Sequence, residues 1–230
     1  PLDGKIRHFF RKGSWDSGFT SMVYSVEYSG SAVAGGETWT NEAEVVDTGP
    51  DTLAQAFLTI SPRTKEILLF FYDKQRRTRF LRSSHGRSQW QEAIPFADFS
   101  FGGICYGHCI WIDSRVLCGF HGTDGRGAGV YYSDDEGATW RVSNRVPVPN
   151  YIPDIWHTGS VEPTFVELRD GRIWMLLRTS NECLYESFSS TRGETWSAPR
   201  PSRFAAGPNS WATLKRLSSG HILLTWNNAM

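Results

Sequence analysis

The sequence predicts an all-β fold made of repeated four-stranded antiparallel units. Three observations point there. Aromatic residues make up 14% of the chain, ten of them tryptophan, and 22 glycines and 11 prolines punctuate it; this is the composition of short strands joined by tight turns, not of helices. Four tryptophans, Trp39, Trp90, Trp140 and Trp196, recur at spacings of 51, 50 and 56 residues. A common turn motif, complete before Trp140, nearly so before Trp196 and worn before the other two, precedes them.

The best copy of the turn is Ser133-Asp134-Asp135-Glu136-Gly137-Ala138-Thr139-Trp140, a full S-x-D-x-G-x-T-W match. Ser189-Ser190-Thr191-Arg192-Gly193-Glu194-Thr195-Trp196 repeats it with Thr191 in the aspartate place. Gly36-Glu37-Thr38-Trp39 keeps only the end of the motif, with Ala32 and Ala34 replacing its Ser and Asp, and a worn copy ends at Trp90 with Ser83 seven residues before it. Short polar side chains close such a turn on backbone amides, and glycine supplies a positive φ. The indole packs beneath the turn. This Asp-box is a folding staple at a hairpin, not a catalytic site.

Strand signals recur between the boxes. Residues 162–168 are apolar and extended, Arg169-Asp170-Gly171-Arg172 is a turn, 173–177 form a second strand, 184–189 a third, and Trp196 is expected to start the fourth. Four strands per repeat make the blade of a β-propeller. Residues 108–112, 116–120 and 130–133 repeat this order, as do 56–60, 67–71 and 78–83, while 214–217 and 222–226 open another blade. Leu2-Asp3-Gly4-Lys5-Ile6 resembles the turn at 168–173, so the chain is expected to enter a blade at its second strand. The expectation is a single domain over residues 1–230, about four and a half blades of a larger ring, truncated at both ends.

Composition bounds the partners. The 24 basic and 24 acidic residues cancel, which argues against nucleic-acid or membrane-surface binding and suits a small molecule or glycan. No apolar run approaches the roughly 20 residues of a membrane span. No signal peptide is visible, and the chain begins at Pro1 without a Met, so a secreted, periplasmic or cytoplasmic location stays open. Cys105, His108, Cys109 and Cys118 lie close together, but their spacing fits no standard zinc pattern and the stretch alternates like a strand. Buried thiols or one disulfide are the readings left. No metal and no cofactor is expected.

The segment Val161-Glu162-Pro163-Thr164-Phe165-Val166-Glu167-Leu168-Arg169-Asp170-Gly171-Arg172-Ile173-Trp174-Met175-Leu176-Leu177-Arg178-Thr179 is more specific. It resembles the E-P-T-x-V-E-L-x-D-G-R-x-x-x-x-x-R-T stretch of the bacterial exo-α-sialidase (neuraminidase) family. The resemblance continues to Leu223-Leu224-Thr225-Trp226-Asn227-Asn228 and weakens before residue 100. It implies a six-bladed propeller of sialidase type that hydrolyses terminal sialic acid from glycans. In the family three arginines bind the substrate carboxylate, a tyrosine paired with a glutamate is the nucleophile, and a loop aspartate is the acid/base. This departs from the two-carboxylate scheme of most glycosidases. The anomeric carbon already bears a carboxylate, which would repel an anionic nucleophile, and planar guanidinium groups suit a carboxylate.

By this resemblance Glu162 falls where the tyrosine's glutamate partner stands and Arg178 where one triad arginine stands. The plain alternatives are an exposed strand-end glutamate and an arginine salt-bridged at a blade edge. The two lie sixteen positions apart, so one turn and a returning strand bring them to the same end of a blade. Arg11 follows the strand at 6–10, at the place of an arginine that contacts the sugar. Asp16 follows on its loop, at the place of the acid/base, although Trp15-Asp16-Ser17-Gly18 is also a good turn in its own right. Gly107-His108 resembles a G-H or G-N position, so His108 either lines the site or is satisfied by neighbouring backbone. The first triad arginine would precede Pro1, and the third arginine and the tyrosine would follow Met230. Tyr151 and Tyr185 stand in the wrong context for the nucleophile. The 230-residue chain alone is therefore expected to have little or no sialidase activity.

Three functions follow from these readings. The first is an exo-sialidase acting on sialylated glycans. The second is another glycan-active enzyme on the same propeller, rhamnosidase-like or lyase-like. The third is a non-catalytic Asp-box propeller that binds glycans or proteins. The oligomeric state stays open.

Overall fold

The computed structural model describes residues 6–12, 22–28, 39–47, 57–72, 78–83, 90–95, 103–104, 109–122, 127–150, 152, 159–207 and 211–228. Among the described residues every regular element is a strand, and no helix is long and apolar enough to cross a membrane. The chain divides into two compact units, Pro1–Phe96 and Ala97–Met230.

The first unit carries two sheets. Strands β1 (Ile6–Lys12), β2 (Met22–Tyr28) and β3 (Trp39–Asp47) form an antiparallel sheet in that order. Strands β4 (Phe57–Ile60), β5 (Ile67–Tyr72), β6 (Thr78–Ser83) and β7 (Gln91–Pro95) form the next. Leu68, Leu69 and Phe70 are all buried, so β5 is covered on both faces. A continuous apolar run is the sequence of such a strand. Phe57 stacks on Phe70 at 4.9 Å between ring centroids, and Phe80 tilts against it at 5.6 Å.

The second unit carries three sheets. One contains β8 (Gly103–Ile104), β9 (Cys109–Ile112), β10 (Arg115–Gly122), β11 (Ala128–Ser133) and β12 (Arg141–Val142). It is one strand richer than expected because two strands, β8 and β9, pair with different parts of β10. β9 pairs with the first half of β10 and β8 with the end of it, His121 facing Ile104. The next sheet runs β13 (Val161–Glu167), β14 (Ile173–Arg178), β15 (Cys183–Ser189) and β16 (Arg200–Ala205) in order. β17 (Ala212–Arg216) and β18 (Ile222–Trp226) make the last pair. The fourth strand of the second sheet starts at Arg200, not at Trp196. The Trp196 N–H is spent on Asn144 Oδ1 at 2.7 Å, and Pro199 and Pro201 have no N–H for a ladder.

Alternate residues of β14 serve two cores, as the period of a strand requires. Ile173, Met175 and Leu177 pack with Leu117, Val130, Tyr132, Phe165 and Trp196. Leu176 packs with Val166, Leu184, Ala212 and Leu214. The three sheets of the second unit thus stack face to face.

Both described boxes form the same turn. In each, the serine Oγ accepts from the glycine amide, Gly137 to Ser133 at 2.8 Å and Gly193 to Ser189 at 2.9 Å. The third residue closes on the threonine amide at 2.8 Å in both, through the Asp135 carboxylate in one and the Thr191 hydroxyl in the other. Each indole Nε1 donates to the carbonyl of the box glycine, at 3.0 Å for Trp140 and 3.1 Å for Trp196. Thr191 therefore replaces an aspartate without changing the turn.

The boxes also lock neighbouring sheets. Arg115, at the start of β10, grips Asp134 of its own box with two N–H groups at 2.6 and 2.9 Å. It also reaches Glu194 of the following box at 3.0 Å. The hydrogen bond from Arg115 holds the Asp134 carboxyl below the usual carboxylate range.

The two boxes are expected to differ in their response to acid. Burial alone would raise the Asp135 carboxyl, but hydrogen bonds from Thr139, Ser133 and its own amide outweigh it, so the folded pKa is lowered. A depressed folded pKa contributes stability that is present above the unfolded value of about 4 and is lost as pH falls through the folded one. Asp135→Asn is expected to flatten the acid limb of a thermal-denaturation pH series below about pH 4. Thr191→Ala should lower stability equally at every pH. An unchanged acid limb in Asp135→Asn would contradict this.

Candidate functional site

Glu162 and Arg178 meet at one end of the β13–β14 hairpin. Val161 pairs with Arg178, and the register then shifts before Thr164. The bulge leaves Glu162 in the left-handed region, with φ 46°. That conformation costs about 1–3 kcal/mol for a residue with a Cβ, and such strain concentrates at functional sites. The displaced carboxylate accepts a hydrogen bond from Arg178 Nη1 through Oε2. Both side chains are only 8% exposed. Glu162 is therefore not an exposed strand-end residue. The Arg178 alternative, a salt-bridged arginine, describes its contact, and the carboxylate it pairs with is the other candidate.

Neighbouring groups fix the bulge. The Glu162 N–H leaves the β13–β14 ladder and donates to His121 Nδ1 at 3.1 Å. Ser160 Oγ accepts from the Ala128 N–H at 3.0 Å and donates to the Val146 carbonyl. Gly119 permits the approach of β13, since a Cβ there would stand 2.9 Å from Pro163 Cγ. On the far face Thr164 Oγ1 accepts from the Leu214 N–H at 2.9 Å.

Arg11 lies in β1, in the other unit, and its backbone faces Val23. Asp16 and His108 lie outside the described residues. Cys109 and Cys118 face each other across β9 and β10 with their sulfurs 2.7 Å apart. Among the described residues no group of three or more His, Cys, Asp or Glu side chains is placed to hold a metal.

Sequence reasoning missed His121, because the apolar strand reading stops at Phe120 and no motif surrounds the histidine. A positional signal existed. Val116 faces Ser133 and Ile173 faces Ser189, the first residues of their boxes. Five residues further along each strand stand His121 and Arg178.

Comparison with known proteins places the fold. A protein of unknown function from Dyadobacter fermentans matches with a TM-score of 0.72 at 20% identity, over 97% of this chain and 72% of that one. The leech intramolecular trans-sialidase matches with a TM-score of 0.70 at 14% identity, over 96% of this chain and 54% of that one. A Hadza microbial sialidase matches with a TM-score of 0.68 at 14% identity, over 97% and 50%. The chain thus spans about half the length of these two sialidases. No curated protein sequence matches it. The fold is that of the sialidase β-propellers, with four-stranded antiparallel blades. The profile of the BNR repeat-like domain covers residues 19–230, and the chain belongs to that family.

Proposed function

We propose that this chain contributes Glu162 and Arg178 to the glycan site of an exo-sialidase-like glycoside hydrolase, one that releases terminal sialic acid. The observation that carries the reading is their buried ion pair on a strained bulge. They are two of the five positions that the sialidase resemblance singles out from sequence. The sialidase β-propeller fold supports it at the level of architecture.

In this reading Arg178 binds the substrate carboxylate. A guanidinium carries five N–H donors in a planar fork, so it can serve Glu162 and a ligand carboxylate together. Glu162 is the base that activates a tyrosine nucleophile supplied by the whole protein. Its ionic contact with Arg178 fixes the direction of its carboxylate. Asp16 would be the acid/base and Arg11 and His108 would contact the sugar.

The test is a panel of fluorogenic glycosides, offered to the protein encoded by the complete reading frame around this segment. Hydrolysis of the sialoside is expected, and Glu162→Gln should lower it by about 10²–10⁴-fold if Glu162 acts as a base. Hydrolysis of a rhamnoside instead would move the protein to another glycan chemistry. Glycan binding without turnover of any substrate would make it a binding module.

A further inference from the structure

β10 and β14 hold equivalent stations in successive sheets. Counted from the residue opposite each box serine, His121 stands in β10 where Arg178 stands in β14. Both are buried, each 7% exposed. His121 does not pair with a carboxylate in the contact that joins it to the bulge. Its Nδ1 accepts the Glu162 N–H. An accepting Nδ1 carries no proton, so the neutral ring holds its proton on Nε2.

That hydrogen bond falls on the strained residue of the candidate site. Glu162 has the left-handed backbone and its N–H points out of its own sheet. Two further contacts secure the same junction. Ser160, two residues before Glu162, is tied to Ala128, which is the register partner of His121. Gly119, two residues before His121, lets Pro163 approach. The bulge is thus held against β10 and β11 on both sides of Val161.

We propose that His121 is a positioning residue, whose neutral Nδ1 fixes the left-handed backbone at Glu162 and so aims the Glu162 carboxylate at Arg178. It touches no reacting atom. Its importance to catalysis rests on the reading of Glu162 and Arg178 as the site, but the positioning itself does not. Asparagine can replace it in part, because its Oδ1 lies as far along the side chain as Nδ1 and also accepts. Phenylalanine keeps the ring and loses the acceptor.

The experiment is nuclear magnetic resonance on the protein encoded by the complete reading frame around this segment, wild type, His121→Asn and His121→Phe. A long-range proton–nitrogen spectrum of the imidazoles should show His121 with its proton on Nε2. Hydrogen exchange at the Glu162 amide should stay slow in His121→Asn and quicken at least tenfold in His121→Phe. A His121 ring protonated at Nδ1 overturns the proposal, and so does equal Glu162 exchange in the two variants. If His121→Phe fails to fold, the wild-type tautomer and the Glu162 exchange rate in His121→Asn decide it. Adding N-acetylneuraminic acid separates the two readings. With the His121 contact intact, an Arg178 signal that ignores the sugar acid counts against the sialidase reading and leaves the positioning role standing.

Discussion

Glu162→Gln is expected to destabilise the second unit by about 3 kcal/mol, because it removes a buried negative charge in contact with the Arg178 guanidinium. The two side chains are each 8% exposed, so solvent screens the loss little. In a unit of this size the change corresponds to a fall of roughly 6–12 °C in Tm. Arg178→Met should be destabilising for the converse reason. The double variant Glu162→Met with Arg178→Met should be milder than the sum of the two, since apolar replacement of a whole buried pair is often neutral or stabilising. Such a pattern would separate the worth of the pair from its function. A fully folded and more stable double variant would mark the pair as retained for something other than stability. If the single variants unfold at the wild-type temperature, the burial described here is wrong.

Gly193→Ala is expected to cost about 3 kcal/mol, combining backbone strain with overpacking. Gly193 has φ +90°, and a Cβ there would stand 2.2 Å from Leu117 Cδ2. Leu117 is fully buried in the core beneath the box, so it has little room to retreat. Gly171 is the natural control. Its φ is +82° and nothing lies within 4 Å of its missing Cβ. Gly171→Ala should therefore show the strain alone, about 1–2 kcal/mol. Leu117→Ala combined with Gly193→Ala should be less costly than the two single changes added together. Chemical denaturation of the four variants measures all of this. Equal losses at Gly171 and Gly193 would remove the close approach of the box to β10 from the account.

The repeat was readable from sequence because its signal is local. The box compresses a serine, a glycine and a tryptophan into eight residues, and each has one physical task in the turn. Thr191 shows that the signal is tolerant of chemistry: a hydroxyl closes on the Thr195 amide at the distance an aspartate carboxylate keeps in the other box. The apolar runs at 67–71 and 173–177 were equally plain, since strands covered on both faces need no alternation.

What sequence missed depends on register and on long-range contact. The two-part pairing of β8 and β9 with β10 could not be seen. Val161 and Phe165 enclose three residues where Ile104 and Cys109, their counterparts along β10, enclose four. The spacer between the two pairings is one residue longer, and no residue type announces it. His121 was missed for a similar reason. Its role comes from an amide 41 positions away in the chain. The Glu162–Arg178 pair was legible only through family resemblance: a strand-end glutamate and a strand-end arginine have no local signature, and their meeting follows from a hairpin that folds residue 162 back beside residue 178.

The most direct test of the central claim is activity of the complete protein. The reading frame should be sequenced on both sides of this segment and its product offered a fluorogenic sialoside, as wild type and as Arg178→Lys. The account predicts sialoside cleavage by the wild type. In the variant kcat/KM should fall about 10²-fold or more, because a point-charge ammonium cannot replace a bidentate guanidinium. A folded wild-type protein that binds glycans and cleaves no sialoside, or an Arg178→Lys variant as active as its parent, would contradict it.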